Sequence, residues 1–293
     1  MFEQLGLIGC GLMGGSFALA LKQAGLVRQV VGYSKSPSTL QRARELGVID
    51  VEAPSALLAV SGADLVLLAV PVAATEDTFK AIRHLVGEQT LVMDVGSTKS
   101  DVVAAAQRSF KDHLAGFVPA HPIAGKETGG VEHAETGLYQ GRQVILTPTD
   151  ATSPAQLERA RQVWTAIGAR VCSMTPQAHD ATCATISHLP HLLAFAAMNA
   201  IQGQPEANTF LSMAGPGFRD FTRIAASDPS VWRDILLANQ QEVLRQSQLF
   251  RQALDALEQT MRQQDGAGLQ KLIRQASDTR GAWSLDRTPH DAP

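Results

Sequence analysis

The residues Gly9-Cys10-Gly11-Leu12-Met13-Gly14 follow the apolar run LGLI and precede a helical stretch, Ser16–Gln23. A G-x-G-x-x-G turn in that setting suits the diphosphate of a dinucleotide. Gly9 permits the tight turn, Gly11 lets a diphosphate approach the backbone, and Gly14 lets the helix pack on its strand. With Leu12 and Met13 inside the loop, the anion meets unpaired N–H groups at the helix N-terminus. A glycine turn without a ligand is the alternative, and the strand-to-helix placement argues against it. Where the second apolar run, QVVGY, ends, an NAD site usually carries Asp or Glu for the ribose hydroxyls. Here stand Ser34, Lys35 and Ser36, which suit a 2′-phosphate, so NADP is favoured, with NAD as the alternative. Val70-Pro71 and Gly96-Ser97-Thr98-Lys99 close two further apolar runs, at the strand ends where open α/β sheets hold ligands. Ser97 either faces that crevice or simply begins the helix at Ser100.

A proton acceptor is sought among eight histidines. His84, His113, His133 and His290 lie in polar stretches and read as solvated. His121 follows the apolar run GFVPA and precedes the small-residue turn Pro122-Ile123-Ala124-Gly125. A histidine there, near its usual pKa of about 6.5, suits removal of a proton from a hydroxyl whose carbon loses hydride. His188 and His191 are three apart, but no further Cys, His or acidic cluster at ligand spacing accompanies them. They read as polar pocket lining, and no metal is expected. Lys126 and Glu127 follow the histidine turn and carry opposite charges with which to read a substrate's side chain.

The elements that must position these groups change character along the chain. Up to about Arg170, short apolar runs alternate with helical stretches, the pattern of a parallel α/β sheet buried on both faces. GFVPAHP, QVILTP and ARVCSM are expected to extend the same sheet around a helix over Pro154–Ile167. Beyond Met174 the chain turns helical, with nine Arg and a single lysine, Lys271. Val231–Gln264 has apolar residues at three-to-four spacing and predicts one long amphipathic helix, part of whose face packs on a second subunit. Trp232 reads as packing. The segment after about Gln275 is polar and Pro-containing and reads as ending in a loose tail. The expected division is a dinucleotide-binding domain over 1–175 and a helical substrate-binding and dimerisation domain over 176–293.

GLIGCGLMGGSFALAL, DVGSTK, HPIAGKE, ISHLPH and GFRDFTRIAASDPSVWRDI occur in this order, and the chain resembles the prephenate/arogenate dehydrogenases of tyrosine biosynthesis. The resemblance implies a Rossmann-type α/β domain followed by an all-α dimerisation domain, and oxidative decarboxylation of a cyclohexadienol to a phenol with a nicotinamide cofactor. It further implies that His121 is the catalytic group on the ring hydroxyl, that Ser97 helps hold both, that Arg223 binds the ring carboxylate, and that His191 lies at the substrate pocket. The residues agree with such a substrate, because a small dicarboxylate needs fixed cations and arginine presents a planar fork to a carboxylate. Arg219 and Arg223 are four apart, with Asp220 available to orient Arg223.

Composition bounds the alternatives. The net charge of −3 over 293 residues argues against a nucleic-acid partner. No uninterrupted apolar run of about 18 residues is present, which argues against a membrane span. Three scattered cysteines fit a reducing, cytoplasmic setting. A β-hydroxyacid dehydrogenase would share the glycine loop but use a lysine in its helical half, and none lies between Lys126 and Lys271. A non-catalytic NADP sensor would not need the strand-end histidine together with an arginine-rich helical half.

Overall fold

The computed structural model describes residues 1–126 and 128–284. In chain order the first elements are β1 Phe2–Ile8, α1 Leu12–Gln23, β2 Val27–Tyr33, α2 Pro37–Glu45, β3 Val51–Glu52, α3 Ala56–Ala59 and β4 Leu65–Leu68. There follow α4 Thr75–Ile82, β5 Leu91–Asp94, α5 Ser100–Ser109, β6 Phe117–Val118, β7 Ala120–Pro122, β8 Gln143–Leu146, α6 Pro154–Ala166 and β9 Arg170–Ser173. The rest is helical: α7 Pro176–Cys183, α8 Leu189–Gln202, α9 Ala207–Ser212, α10 Pro216–Thr222, α11 Pro229–Ala238, α12 Gln240–Arg262 and α13 Gly266–Ala282. Many helices begin as their sequence dictates. Ser36, Thr175 and Asp228 each accept a backbone N–H of the first turn, and a proline follows each of them.

Six strands form one parallel sheet in the order β3-β2-β1-β4-β5-β6. The order reverses between β1 and β4, so a crevice opens at the carboxyl ends of those two strands, beside Gly9 and Val70. Apolar side chains cover both faces. Phe17 packs on Trp164 at 4.8 Å on one, and Phe79 packs between Phe110 and Phe117 on the other.

Two expectations change. GFVPAHP does not extend a single sheet. Phe117–Val118 joins the parallel sheet, whereas β7 starts a second sheet, β7-β8-β9, antiparallel between β7 and β8 and parallel between β8 and β9. Pro119 stands at the change with no N–H to donate, and its carbonyl accepts the Thr147 N–H at 2.9 Å. The predicted single helix over Val231–Gln264 is two helices, α11 and α12, divided at Asn239 (φ −106°, ψ 29°). The Asn239 side chain is buried and donates to the Asp180 carbonyl at 2.8 Å, an interaction outside its own helix. The segment expected to end in a loose tail starts as helix, within α13 through Ala282; its last residues, His290 among them, lie outside the described residues.

By compactness the chain divides within α12, into Met1–Val243 and Leu244–Pro293. In the second unit Leu244, Leu249, Phe250, Leu254, Met261 and Ile273 are exposed, a large apolar surface for so small a body. In the first unit the helical run Pro176–Gln202 reaches a mean hydropathy of 1.2, long and apolar enough by composition to cross a membrane. The run is not continuously apolar, for it carries the titratable His179, Asp180, His188 and His191.

Candidate active site

The glycine loop has the shape of a binding turn. Gly9 has φ +98°, and a Cβ there would lie 2.2 Å from the Ala69 carbonyl oxygen, so only glycine fits. A Cβ at Gly14 would lie 2.1 Å from the Gly9 carbonyl oxygen, so α1 must approach the loop without a side chain. Gly11 is different, because nothing lies within 4 Å of a Cβ built there. Its openness leaves the loop free on one side. α1 begins at Leu12 with no side-chain cap and no acid in its first turn, so its first N–H groups are unshared and the positive helix end faces an anion without competition. This donor set fits a dinucleotide diphosphate. At the end of β2, Ser34 accepts the Ser36 N–H, Ser36 caps α2 through the Thr39 N–H, and Lys35 is exposed. Pro71 leads a 3-10 turn over Val72–Ala74 at the end of β4.

Beside α1 lies a cavity of about 700 Å³. One wall is tied to the helix, for the Tyr139 hydroxyl donates to the Met13 carbonyl at 2.6 Å and the Glu135 N–H to the Ser16 hydroxyl at 3.0 Å. The cavity brings together Ser97, His121, Lys126, His188, His191 and Arg223, residues drawn from β7, the loops after β5 and β7, the helical run Pro176–Gln202 and the start of the 3-10 turn after α10. Glu127 lies outside the described residues. Ser97 does not cap α5. That position belongs to Lys99, and Ser97 is left half-buried at the cavity wall.

His121 is held by the chain around it. Asp94, at the end of β5, forms a buried ion pair with Lys99, their side chains 3% and 0% exposed. Lys99 Nζ also donates to the Ala120 carbonyl at 2.8 Å, and Asp94 accepts the Ala120 N–H at 3.1 Å and the Gly96 N–H at 2.8 Å. The D-x-G-S-x-K turn thus clamps both backbone groups of the residue before His121.

The imidazole has a partner that sequence reading missed. His121 Nδ1 lies 2.7 Å from His179 Nε2, and His179 Nδ1 lies 2.8 Å from Asp180 Oδ1. His179 is fully buried although its segment, TPQAHDATC, reads as the polar start of a helix; the adjacent His-Asp pair after a Thr-Pro start was the available signal. Cys183 joins them, 3.4 Å from His179 and 3.8 Å from His121. This trio places a Cys and two His within ligand reach, which spacing along the chain did not reveal. Two nitrogens on one tetrahedral zinc at about 2.0–2.1 Å stand roughly 3.4 Å apart, so 2.7 Å is a hydrogen bond. Burial pushes the Cys183 thiol up to about 12, with Asp180 adding to the shift, and it is a neutral thiol.

Burial lowers His121 well below the ordinary histidine range, and the fields of His179, Lys99 and His188 push the same way. The sequence expectation of a near-ordinary value is corrected by this enclosure. His188 is lowered to about 4, chiefly by burial, and Asn239 Nδ2 lies 3.2 Å from its Nδ1. His191 donates from Nδ1 to the Ser187 carbonyl at 2.9 Å; burial lowers it, and Arg223 lowers it further. All three histidines are held toward their neutral forms.

The elements carrying His188 and His191 owe their turn to Pro190. Without an N–H it cannot bond the carbonyl four residues back, and the helix widens into a π-helical turn over Ala184–His188. Ile186, Ser187 and His188 of that turn line the cavity. Trp232, expected as packing alone, also lines it and stacks on His191 with ring centroids 3.5 Å apart. Asp220 pairs with Arg219 at 3.7 Å on the exposed side of α10. Of the solvated histidines, His113 is half-buried and stands against Phe110, while His84 and His133 are exposed. Arg142, not singled out from sequence, is a further cation at the cavity, and Lys126 is paired with Glu135 at 2.7 Å.

Two family models match the chain, the nucleotide-binding domain of prephenate dehydrogenase over residues 17–173 and the prephenate dehydrogenase dimerization domain over 175–275. The chain is 34% identical to a cyclohexadienyl dehydrogenase of Zymomonas mobilis, covering 98% of each chain. It is 33% identical to a prephenate dehydrogenase of Bacillus subtilis, over 97% of this chain and 77% of that one. Among solved structures, the prephenate dehydrogenase of Aquifex aeolicus in complex with hydroxyphenyl propionate and NAD+ superposes with a TM-score of 0.89 at 35% identity, covering 96% and 97% of the two chains.

Proposed function

The chain belongs to the prephenate dehydrogenase family, and we propose that it oxidatively decarboxylates prephenate, arogenate or both, forming 4-hydroxyphenylpyruvate or tyrosine. The observation that carries this reading is one cavity lined by a neutral histidine and an arginine, His121 and Arg223, beside a helix whose open N-terminus fits a dinucleotide diphosphate. Arg223 binds the ring carboxylate through its planar fork. A nicotinamide, when bound, accepts hydride from the hydroxyl-bearing ring carbon. His121 takes the proton of that hydroxyl. Ser97 and His191 orient the ring at the cavity wall, and His188 completes the polar lining. The electrons of the breaking carbon–carboxylate bond enter the ring, carbon dioxide leaves, and aromaticity draws the reaction forward.

Gly9, Gly11, Leu12, Met13 and Gly14 would hold the diphosphate, and Val70 and Pro71 at the neighbouring strand end would line the dinucleotide crevice. NADP is preferred, because Lys35 is exposed at the end of β2 and no carboxylate stands at Ser34–Ser36. The Ser34 and Ser36 hydroxyls each accept one backbone N–H and keep an O–H to donate, so both stand with Lys35 behind the preference. Arg142 meets the substrate's side-chain carboxylate more readily than Lys126, whose charge is countered by Glu135. The domains divide at 175/176, where strands end, and the exposed apolar side chains of α12 and α13 pair two copies into a homodimer.

A rate matrix of prephenate and arogenate against NAD+ and NADP+ tests the whole reading. Reduction of cofactor only with cyclohexadienyl substrate, fastest with NADP+, is expected. No reduction in any of the four combinations sinks the catalytic reading, and a faster rate with NAD+ sinks the cofactor preference alone. Light scattering at micromolar concentration should return the mass of two chains.

A further inference from the structure

Resting on His121 as the base, we infer that Asp180 and His179 form a buried relay that sets the tautomer of His121 and so leaves its Nε2 ready to accept the hydroxyl proton. Asp180 is saturated with donors: Oδ1 accepts the Lys99 N–H and His179 Nδ1, and Oδ2 accepts the Ser100 N–H, each at 2.8 Å. Burial alone would raise this carboxyl, but the hydrogen bonds from His179, Ser100 and Lys99 hold it below its ordinary value. An ionised carboxylate only accepts, so His179 Nδ1 carries a proton. With its one ring proton on Nδ1, His179 presents Nε2 as an acceptor, and the 2.7 Å contact then makes His121 Nδ1 the donor. The other nitrogen of His121 is thereby left with its lone pair. Both carboxylate oxygens are spoken for by α5, and the Asp180 carbonyl is held by Asn239, so the relay cannot swing away.

The arrangement has a consequence for the charge that catalysis creates. When Nε2 takes the hydroxyl proton, His121 becomes an imidazolium whose Nδ1–H points at His179, and His179 passes the polarisation to Asp180. The proton remains on His121 until it leaves to solvent, and no group changes oxidation state. The charged and titratable groups around the His121 ring are His179 and Cys183 on α7, His188 on the π-helical turn, and Lys99 with its partner Asp94 before α5. Cys183 is neutral and a weak donor, so it does not compete for the tautomer. His179 and Asp180 are positioning residues that act through His121.

Nitrogen-15 NMR of the full-length protein labelled at histidine, with no substrate added, reads the tautomer directly. His121 is expected to show a protonated Nδ1 and an unprotonated Nε2; a protonated Nε2 overturns the relay whatever the enzyme's substrate proves to be. His179→Leu removes the acceptor, and His179→Gln retains an amide oxygen at about the reach of Nε2. With prephenate or arogenate, Leu should lower kcat by roughly 10²–10³-fold with KM within threefold, the range of a misdirected general base, and Gln should recover at least tenfold of that loss. A Leu variant within threefold of the parent kcat, or Gln as poor as Leu, overturns the relay. If the Leu variant does not fold, the NMR of the unmodified protein decides alone. A correct tautomer in a protein inactive on both substrates would instead remove the proposed reaction and leave the relay standing.

Discussion

Replacing Lys99 by Met tests how the base is held. Lys99 and Asp94 are buried together, and removing one partner of such a pair leaves an uncompensated charge, a cost of about 3–5 kcal/mol. Lys99 Nζ also loses its 2.8 Å bond to the Ala120 carbonyl, worth on the order of another 1 kcal/mol once the acceptor is stranded. For a chain of this size 1 kcal/mol moves Tm by roughly 2–4 °C, so Lys99→Met should melt about 8–24 °C lower. The loss depends on pH with a definite sign. An isolated buried carboxylate has its pKa raised, so Asp94 in the variant is neutralised as pH falls and the destabilisation shrinks; it is largest at high pH. The double variant Asp94→Leu/Lys99→Met removes both charges and should recover most of the stability. Activity should not return with it, because the Ala120 N–H and carbonyl have both lost their anchors and His121 follows them. The measurements are calorimetric Tm at pH 5.5 and 8.5 and kcat for each variant. A single variant within 1 kcal/mol of the parent, or a double variant with full activity, would refute the clamp.

Other outcomes follow from the same geometry. His121 must be neutral to act and its pKa is lowered by burial, so kcat/KM should stay high down through pH 6.5 and fall only as pH drops through the lowered value; half-maximal activity at or above 6.5 contradicts the burial argument. Arg223→Ala should raise KM for the cyclohexadienyl substrate by roughly 10–150-fold, the worth of a charged hydrogen bond, with cofactor KM unchanged; an unchanged substrate KM removes Arg223 from the carboxylate site. Gly11→Ala should fold with Tm within 2 °C of the parent yet bind cofactor at least tenfold more weakly, because the open space beside it is where a ligand lies. Gly14→Ala should lower Tm as well, its Cβ being 2.1 Å from the Gly9 carbonyl oxygen.

Much of this site was legible as sequence because its parts are local. The glycine loop is a backbone requirement of a strand-to-helix turn, and Gly9 and Gly14 meet it through contacts within one β-α unit and its neighbouring strand. The GFVPAHPIAG run puts His121 on a strand beside a small-residue turn, and the Pro-started helices announce themselves by Ser36, Thr175 and Asp228. The change from alternating strands to arginine-rich helices near Met174 likewise follows from composition.

What spacing along the chain could not carry are pairings between distant segments. His179 stands 58 residues from His121 and reads alone as a polar helix residue, yet it is fully buried against it. Asn239 looks like one more position in a long amphipathic helix, and the break there exists because its amide reaches Asp180, 59 residues away. Pro119 moves β7 out of the main sheet only because β8 is there to receive it. The electrostatics are decided at the same level. A histidine's ordinary value belongs to the side chain in water, whereas enclosure beside His179, Lys99 and His188 is a property of the folded chain. Residue types and local periodicity select elements and offer reactive groups; the protonation state and aim of His121 come from neighbours that only tertiary packing supplies.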